Sequence, residues 1–188
     1  MEYKSNELIR EVVIYLTNKI KKQIERALEE NSVEELVERI LKARKIHVYG
    51  MGRSGLVSKA FAMRLVHLGL DVIVLDETIT YPLTRSDVFI LVSGSGSTSS
   101  VVRLAKIAKK IGAHLVAITS NKDSELSRLA DTLIYIPIEE DELKPKYAPM
   151  GTLFEDSVLI FFDALIAYIM DALGETEYSM KRRHSSLE

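Results

Sequence analysis

The 188-residue chain predicts an α/β fold: a five-stranded parallel sheet of flavodoxin-like order 2-1-3-4-5 with helices on both faces. Three observations lead there. Short runs that are apolar throughout, rather than apolar on every second residue, are spaced by segments of helical periodicity, as in sheets covered on both faces. Two small-residue turns, Gly50–Gly55 and Ser93–Thr98, each leave a strand and open a helix. At this length, with 47% hydrophobic residues, one core suffices to bury roughly two thirds or more of the surface the unfolded chain exposes. Residues 1–188 therefore read as a single domain, with N-terminal helices over 5–43 and a C-terminal tail over 174–188 that are assigned to oligomer contacts.

The elements follow in order. From Glu7 to about Leu28, apolar residues at Ile9, Val13, Leu16, Ile20, Ile24 and Leu28 form one helical stripe. This stripe has no obvious place on a finished five-stranded sandwich, so it should meet another subunit or the last helix. Ser32 and Glu35 have the spacing of a capping box, which opens a shorter helix to about Lys42. Lys45–Tyr49 is a β-rich run, Gly50–Gly55 a turn, and Leu56–Leu68 a helix closed by Gly69. Strands follow at Asp71–Leu75, Val88–Val92, His114–Thr119 and Thr132–Ile136, with helices at Thr98–Ile111, closed by Gly112, and at Asp123–Leu129. The segment Pro137–Met150 holds three prolines and the acidic run Glu139–Glu142, so it should be irregular. Thr152–Leu173 is a final helix, and Gly174 onward a polar tail. Leu153–Met170 is the most apolar stretch, but Glu155, Asp156 and Asp163 make it a buried helix rather than a membrane span.

Composition excludes several functions. Twenty-five basic against 27 acidic residues leave a formal charge of -2, so there is no field to draw the chain onto nucleic acid or anionic lipid. Without cysteine there is no disulfide framework, thiolate metal site or cysteine nucleophile. The start Met1–Lys4 is polar, so no secretory leader is expected and the cytoplasm is the expected compartment. His47 and His114 sit on or beside buried strands without ligand spacing, so no metal is expected, and no cofactor. His67 follows a helix and reads as a cap or dipole partner.

Gly50-Met51-Gly52-Arg53-Ser54-Gly55 satisfies G-x-G-x-x-G between a strand and a helix, and Asp76, 21 residues past Gly55, stands where a ribose-binding acid would. That loop alone leaves a nucleotide site open. Ser93-Gly94-Ser95-Gly96-Ser97-Thr98 shifts the balance, because a hydroxyl-rich helix start is an anion site. In the 2-1-3-4-5 order both turns emerge at one crevice, so Ser54 and the 93–98 run would share a single phosphate. The competing reading is a small-residue turn for tight packing, with serines capping the helix.

The second turn, with Ser93, Ser95, Gly96 and Thr98 in the order S-x-S-G-x-[ST], resembles the signature of the sugar isomerase (SIS) domain. Three more segments are similar to its 6-phospho-3-hexuloisomerase branch: Gly50–Gly69, Met150–Asp156, and the closing Arg183-His184 with Leu187-Glu188. The resemblance implies an isomerase that interconverts D-arabino-hex-3-ulose 6-phosphate and D-fructose 6-phosphate through an enediol in the ribulose monophosphate pathway. Ser54, Ser93, Ser95, Gly96 and Thr98 would hold the phosphate of a small-molecule sugar phosphate, with Arg53 in support. Glu155 would be the base and His184 would enter a neighbouring subunit's site in a homo-oligomer, by resemblance a tetramer. Ser97 stands where relatives carry Glu, and Gly94 where amino-sugar isomerases tend to have Gln. On the residues alone, Thr152 and Glu155 also read as a capping box, and His184 as part of a basic chain end. Two other functions use the same loops: a non-catalytic sugar-phosphate sensor and a dinucleotide-binding subunit.

Overall fold

The computed structural model describes residues 3–76 and 78–184. Helices α1 (Tyr3–Glu30) and α2 (Val33–Lys42) precede strand β1 (Ile46–Gly50). Then come α3 (Arg53–His67), β2 (Val72–Val74), β3 (Val88–Val92), α4 (Ser99–Ile111), β4 (His114–Thr119), α5 (Glu125–Leu129) and β5 (Thr132–Tyr135). The chain closes with α6 (Lys144–Tyr147), α7 (Thr152–Ala172) and α8 (Glu177–Arg182). The sheet is parallel in the order β2-β1-β3-β4-β5.

Strand alternation divides the core. Val88, Ile90 and Val92 of β3 face a layer built from α1, α2, α3 and α7, where Phe61 and Phe162 stack with ring centroids 4.0 Å apart. Phe89 and Leu91 face α4 and α5, against Val101, Ala105 and Leu126. Both faces are covered, which is why these strands are apolar throughout. Gly112 ends α4 at φ 87, in the left-handed conformation that glycine adopts readily.

Four expectations change. Residues 137–150 are not wholly irregular, because Pro145 sits in the first turn of a short helix, α6. The tail beyond Gly174 is folded through Arg182: Thr176 and Ser179 form a capping box that opens α8. Ser32 caps α2 as expected, but Glu35 does not reach back to it; its carboxylate accepts from Thr132 Oγ1 at 3.2 Å. The α1 stripe splits. Ile20, and Ala27 beside the stripe, are buried against α7 and the 138–148 segment, whereas Ile9, Val13 and Leu28 are exposed. Ser185, Ser186, Leu187 and Glu188, which complete the closing motif, lie outside the described residues, as do Met1 and Glu2. Among the described residues no helix is long and apolar enough to cross a membrane.

His47 on β1 is fully buried, 3.7 Å from Asp87 Oδ2, and neither ring nitrogen has a hydrogen-bond partner among the described residues. Burial pushes this imidazole below its ordinary 6.5, although the Asp87 carboxylate acts in the other direction. Burial pushes the Asp87 carboxyl up, but hydrogen bonds from the Thr84 hydroxyl and amide and from Arg44 outweigh it and hold the group below its usual range. The unfolded chain therefore takes up a proton at His47 just below pH 6.5, where the folded chain stays neutral. This contribution to stability is complete above that pH and declines below it, by at most about 1.4 kcal/mol per pH unit. Thermal melts between pH 7.5 and 5.0 should show Tm falling in the acidic half, and His47→Gln should flatten the slope. An unaltered slope in the variant would contradict this account.

Candidate active site

The β1–α3 and β3–α4 turns leave neighbouring strands at the same end of the sheet and open into one cleft of about 510 Å3. Ser54, Ser93, Ser95, Thr98 and Glu155 line it, as the sequence predicts, together with Lys144, which it did not.

The β3–α4 turn is held from behind. The Gly94 carbonyl accepts from the Ser120 amide and hydroxyl and from Thr119 Oγ1, at 3.1, 2.9 and 3.0 Å. Gly96 adopts φ 61, and a Cβ there would lie 2.1 Å from the hydroxyl of Ser124, the residue that caps α5. Gly96 thus shapes the turn and does not line the cleft. The hydroxyls of Ser93 and Thr98 are 3.1 Å apart, and Ser95 Oγ accepts from the Ser97 amide and hydroxyl at 3.3 and 3.1 Å. Thr98 stands at the N-cap of α4 without making a side-chain cap bond, and the first turn of α4 holds no acidic residue. Hydroxyls, backbone N–H groups and the positive end of the helix dipole thereby gather on one spot suited to an anion.

Glu155 enters from the first turn of α7 and is only 9% exposed. Its Oε1 accepts from Ser54 Oγ at 3.2 Å; its Oε2 lies 3.4 Å from Arg53 Nε without a formed hydrogen bond. The capping-box reading of Thr152 and Glu155 is not what the helix does. Gly151 occupies the N-cap, and the Thr152 hydroxyl donates to the Pro149 carbonyl at 2.8 Å. Gly151 leaves the Glu155 carboxylate its place: a Cβ there would meet it at 2.4 to 2.8 Å and push that flexible end aside. The neighbouring Phe154 ring lies against Gly94, where a Cβ would be 3.1 Å from it, so the carboxylate and the hydroxyl turn are registered by direct contact. A longer side chain at position 94 would have to displace that ring.

Arg53 does not line the cleft. Its guanidinium bridges α3 to α7, donating to Asp156 Oδ1 at 3.0 Å while facing Glu155. His184 is also elsewhere in this chain: its ring lies 5.0 Å from that of His67 in a second cavity of about 450 Å3, which Arg64 and Asp163 also line. Arg183 holds the tail there, donating to the His67 carbonyl and to Glu175, whose carboxyl it lowers to about 2.

The first turn packs as a dinucleotide turn would, but the place for a ribose beside it is closed. A Cβ at Gly50 would lie 2.7 Å from the Ser54 backbone and one at Gly55 would lie 2.6 Å from the Gly50 carbonyl, so these glycines serve strand-to-helix packing. Asp76 pairs with Lys59 at 2.7 Å, and the crevice between them has no room for even a water-sized sphere. Among the described residues no group of acidic or histidine side chains is arranged to hold a metal ion.

Sequence reasoning missed Lys144 and its partner Glu140, 2.9 Å away, both in the cleft wall. The one available signal was a proline-rich loop whose acidic run needed a counterpart. That counterpart is α1: Lys22 and Arg26 pair with Glu139 at 3.0 and 2.7 Å, and Lys19 with Asp141 at 2.6 Å.

The SIS domain family model matches residues 39–165. The 3-hexulose-6-phosphate isomerase of Methanocaldococcus jannaschii is 43% identical over 157 residues, with 84% of each chain covered. The enzyme of that name from Bacillus subtilis is 38% identical over 159 residues, covering 82% of this chain and 86% of its own. A crystal structure from Methanococcus jannaschii, whose inferred function is 3-hexulose-6-phosphate isomerase, superimposes with a TM-score of 0.83 at 38% identity, covering 95% of this chain and 98% of the other.

The two glycines that shape the cleft should have separable effects. Gly96→Ala, strained by its φ and by Ser124, should lower stability by about 1–3 kcal/mol and weaken binding of inorganic phosphate. Gly151→Ala should displace only the carboxylate and leave phosphate binding in place. Calorimetric titration of both variants, beside thermal melts, checks this; equal loss of phosphate binding in the two would contradict it.

Proposed function

Because this chain belongs to the SIS domain family, we propose that its cleft interconverts D-arabino-hex-3-ulose 6-phosphate and D-fructose 6-phosphate by proton transfer through a 2,3-enediol. The chain is a phosphosugar isomerase, and this reading names its substrate. It rests above all on one observation: the Glu155 carboxylate stands in the same cleft as the hydroxyl turn, with Oε2 buried and without a hydrogen bond among the described residues.

In this account Ser93, Ser95 and Thr98 take the phosphate oxygens, helped by the start of α4, and Ser54 bridges the ester to the base. Glu155 removes the proton from C2 of the 3-ulose. The C–H electron pair becomes the C2–C3 double bond, and the former carbonyl oxygen gains the negative charge. The O2 hydroxyl proton passes to O3, and as the O2 electron pair closes to a carbonyl the C2–C3 double-bond pair takes the proton from Glu155 at C3, giving the 2-ulose. The step balances with one carboxylate and no redox partner. Such positioned proton transfer contributes about 10²- to 10⁴-fold, and stabilisation of the developing oxyanion supplies more. Arg53, ion-paired to Glu155 and Asp156, steadies the base rather than the ester.

A furanose must open before C3 is accessible, and His184 of a neighbouring subunit is the proposed group for that proton transfer, imidazole being the side chain that titrates near neutrality. The exposed Leu8, Ile9, Val13 and Ile14 on the free half of α1 support a homo-oligomer, which we take as a tetramer acting in the cytoplasm.

Fructose 6-phosphate incubated with the enzyme in deuterated buffer should acquire deuterium at C3, as read by proton NMR. Glu155→Gln should bind the sugar phosphate with little change and lose about 10²- to 10⁴-fold in kcat. Turnover without any label on carbon, or undiminished turnover in the variant, would remove Glu155 from the mechanism.

A further inference from the structure

We infer that Lys144 is a phosphate-binding residue of this cleft, and that Glu140 is the counter-ion it leaves when the substrate's dianion enters; the inference rests on the cleft taking a sugar phosphate.

The 137–150 segment has the prolines of a wandering loop, yet it is anchored at a definite point. Asp141 Oδ1 accepts from the Tyr15 hydroxyl at 2.9 Å and from the amides of Leu143 and Lys144 at 3.0 and 2.9 Å. Its other oxygen pairs with Lys19 at 2.6 Å. The Tyr147 hydroxyl donates to Glu11 at 3.0 Å, and its ring meets Tyr15 edge-on at 5.5 Å. Helix α1 therefore fixes α6, and α6 turns the Lys144 side chain inward. That side chain is only 15% exposed, whereas its partner Glu140 is 75% exposed.

Lys144 is turned inward from an irregular segment, and an ion pair with so exposed a carboxylate as Glu140 contributes little to holding it there. The cleft supplies a reason. Its described lining carries two carboxylates, Glu140 and Glu155, and Lys144 as the single full positive charge, while the serine turn offers only neutral donors and partial charges. A phosphate ester dianion brings more negative charge into that space. The ammonium group, on a flexible stem, can turn from Glu140 to the ester, and Glu140 can return to water at small cost because most of it is there already.

The test uses the full chain and inorganic phosphate as the probe, with fructose 6-phosphate kinetics alongside. Lys144→Met should weaken phosphate affinity and raise KM about 10- to 100-fold, the range for a hydrogen bond to a charged group, with kcat changed by less than about threefold. Lys144→Arg should restore most of the affinity. Glu140→Gln should bind phosphate as tightly as the parent or more so, and should have no effect when Lys144 is already Met. Unchanged affinity in Lys144→Met, or a loss in Glu140→Gln equal to it, would overturn the inference, the second outcome marking the pair as a loop clip. Should Lys144→Met melt early, the affinities of Lys144→Arg and Glu140→Gln decide. Phosphate binding that depends on Lys144 in a protein that turns over no hexulose phosphate would sink the proposed substrate and leave this residue's role standing.

Discussion

Parallel pairing of β1 with β3, from Ile46 against Val88 to Gly50 against Val92, determines where every group in the cleft can stand. Two adjacent strands that end in register release their turns side by side, and each turn must become a helix start within a few residues. The unpaired N–H groups and dipole of α4 and the opening residues of α3 then face one volume. Any other strand between β1 and β3 would separate Ser54 from the 93–98 turn by a further strand spacing of about 4.8 Å. Strands apolar on both faces can occupy such a central position only if helices cover both sides, which links the core to the site.

The base is placed by steric contact as much as by hydrogen bonding. Phe154 lies against Gly94, and Glu155 against Gly151, so two glycines with no side chain fix the distance between the hydroxyl turn and the carboxylate. Arg53 adds a charge at the rear of the carboxylate from a turn that otherwise lies beside it. The α1 helix completes the wall at long range: cations one hundred or more residues earlier in the chain hold the acidic run of the 138–148 segment, and a buried Ser157 to Gln23 hydrogen bond at 2.8 Å ties α1 to α7. The cleft is thus assembled from five separate stretches, each locked to a neighbour by contacts that leave its functional atoms available.

What the sequence revealed divides along the same physical line. Strands were legible because burial on both faces imprints continuous apolar runs, as at Val88–Val92, and helix ends because Gly112 needs a left-handed backbone. Ser54 and the 93–98 turn were legible because the 2-1-3-4-5 order carries both to one crevice, whereas Glu155 was singled out by family resemblance alone, its local pattern reading equally as a helix cap. The G-x-G-x-x-G pattern did not discriminate, since Gly50 and Gly55 pack strand against helix in either reading and the place for a ribose at Asp76 is closed only in the folded chain, by Lys59. Lys144 was illegible: in an irregular loop, whether a lysine turns inward depends on Tyr15 and Lys19 gripping Asp141, partners that no local pattern names. The place of α1 was half legible, because its apolar stripe is visible in the chain but the charges that seat it find their partners only in the folded state.

A crystal structure with glucitol 6-phosphate, an open-chain hexitol phosphate that cannot be turned over, tests the shared cleft most directly. The account predicts phosphate oxygens within about 2.6–3.2 Å of the Ser93, Ser95 and Thr98 hydroxyls, with the C2–C3 edge of the chain facing the Glu155 carboxylate. A phosphate seated beside Lys59 and Asp76 or in the His67 cavity, or a Glu155 turned away from the carbon chain in every protomer, would contradict it.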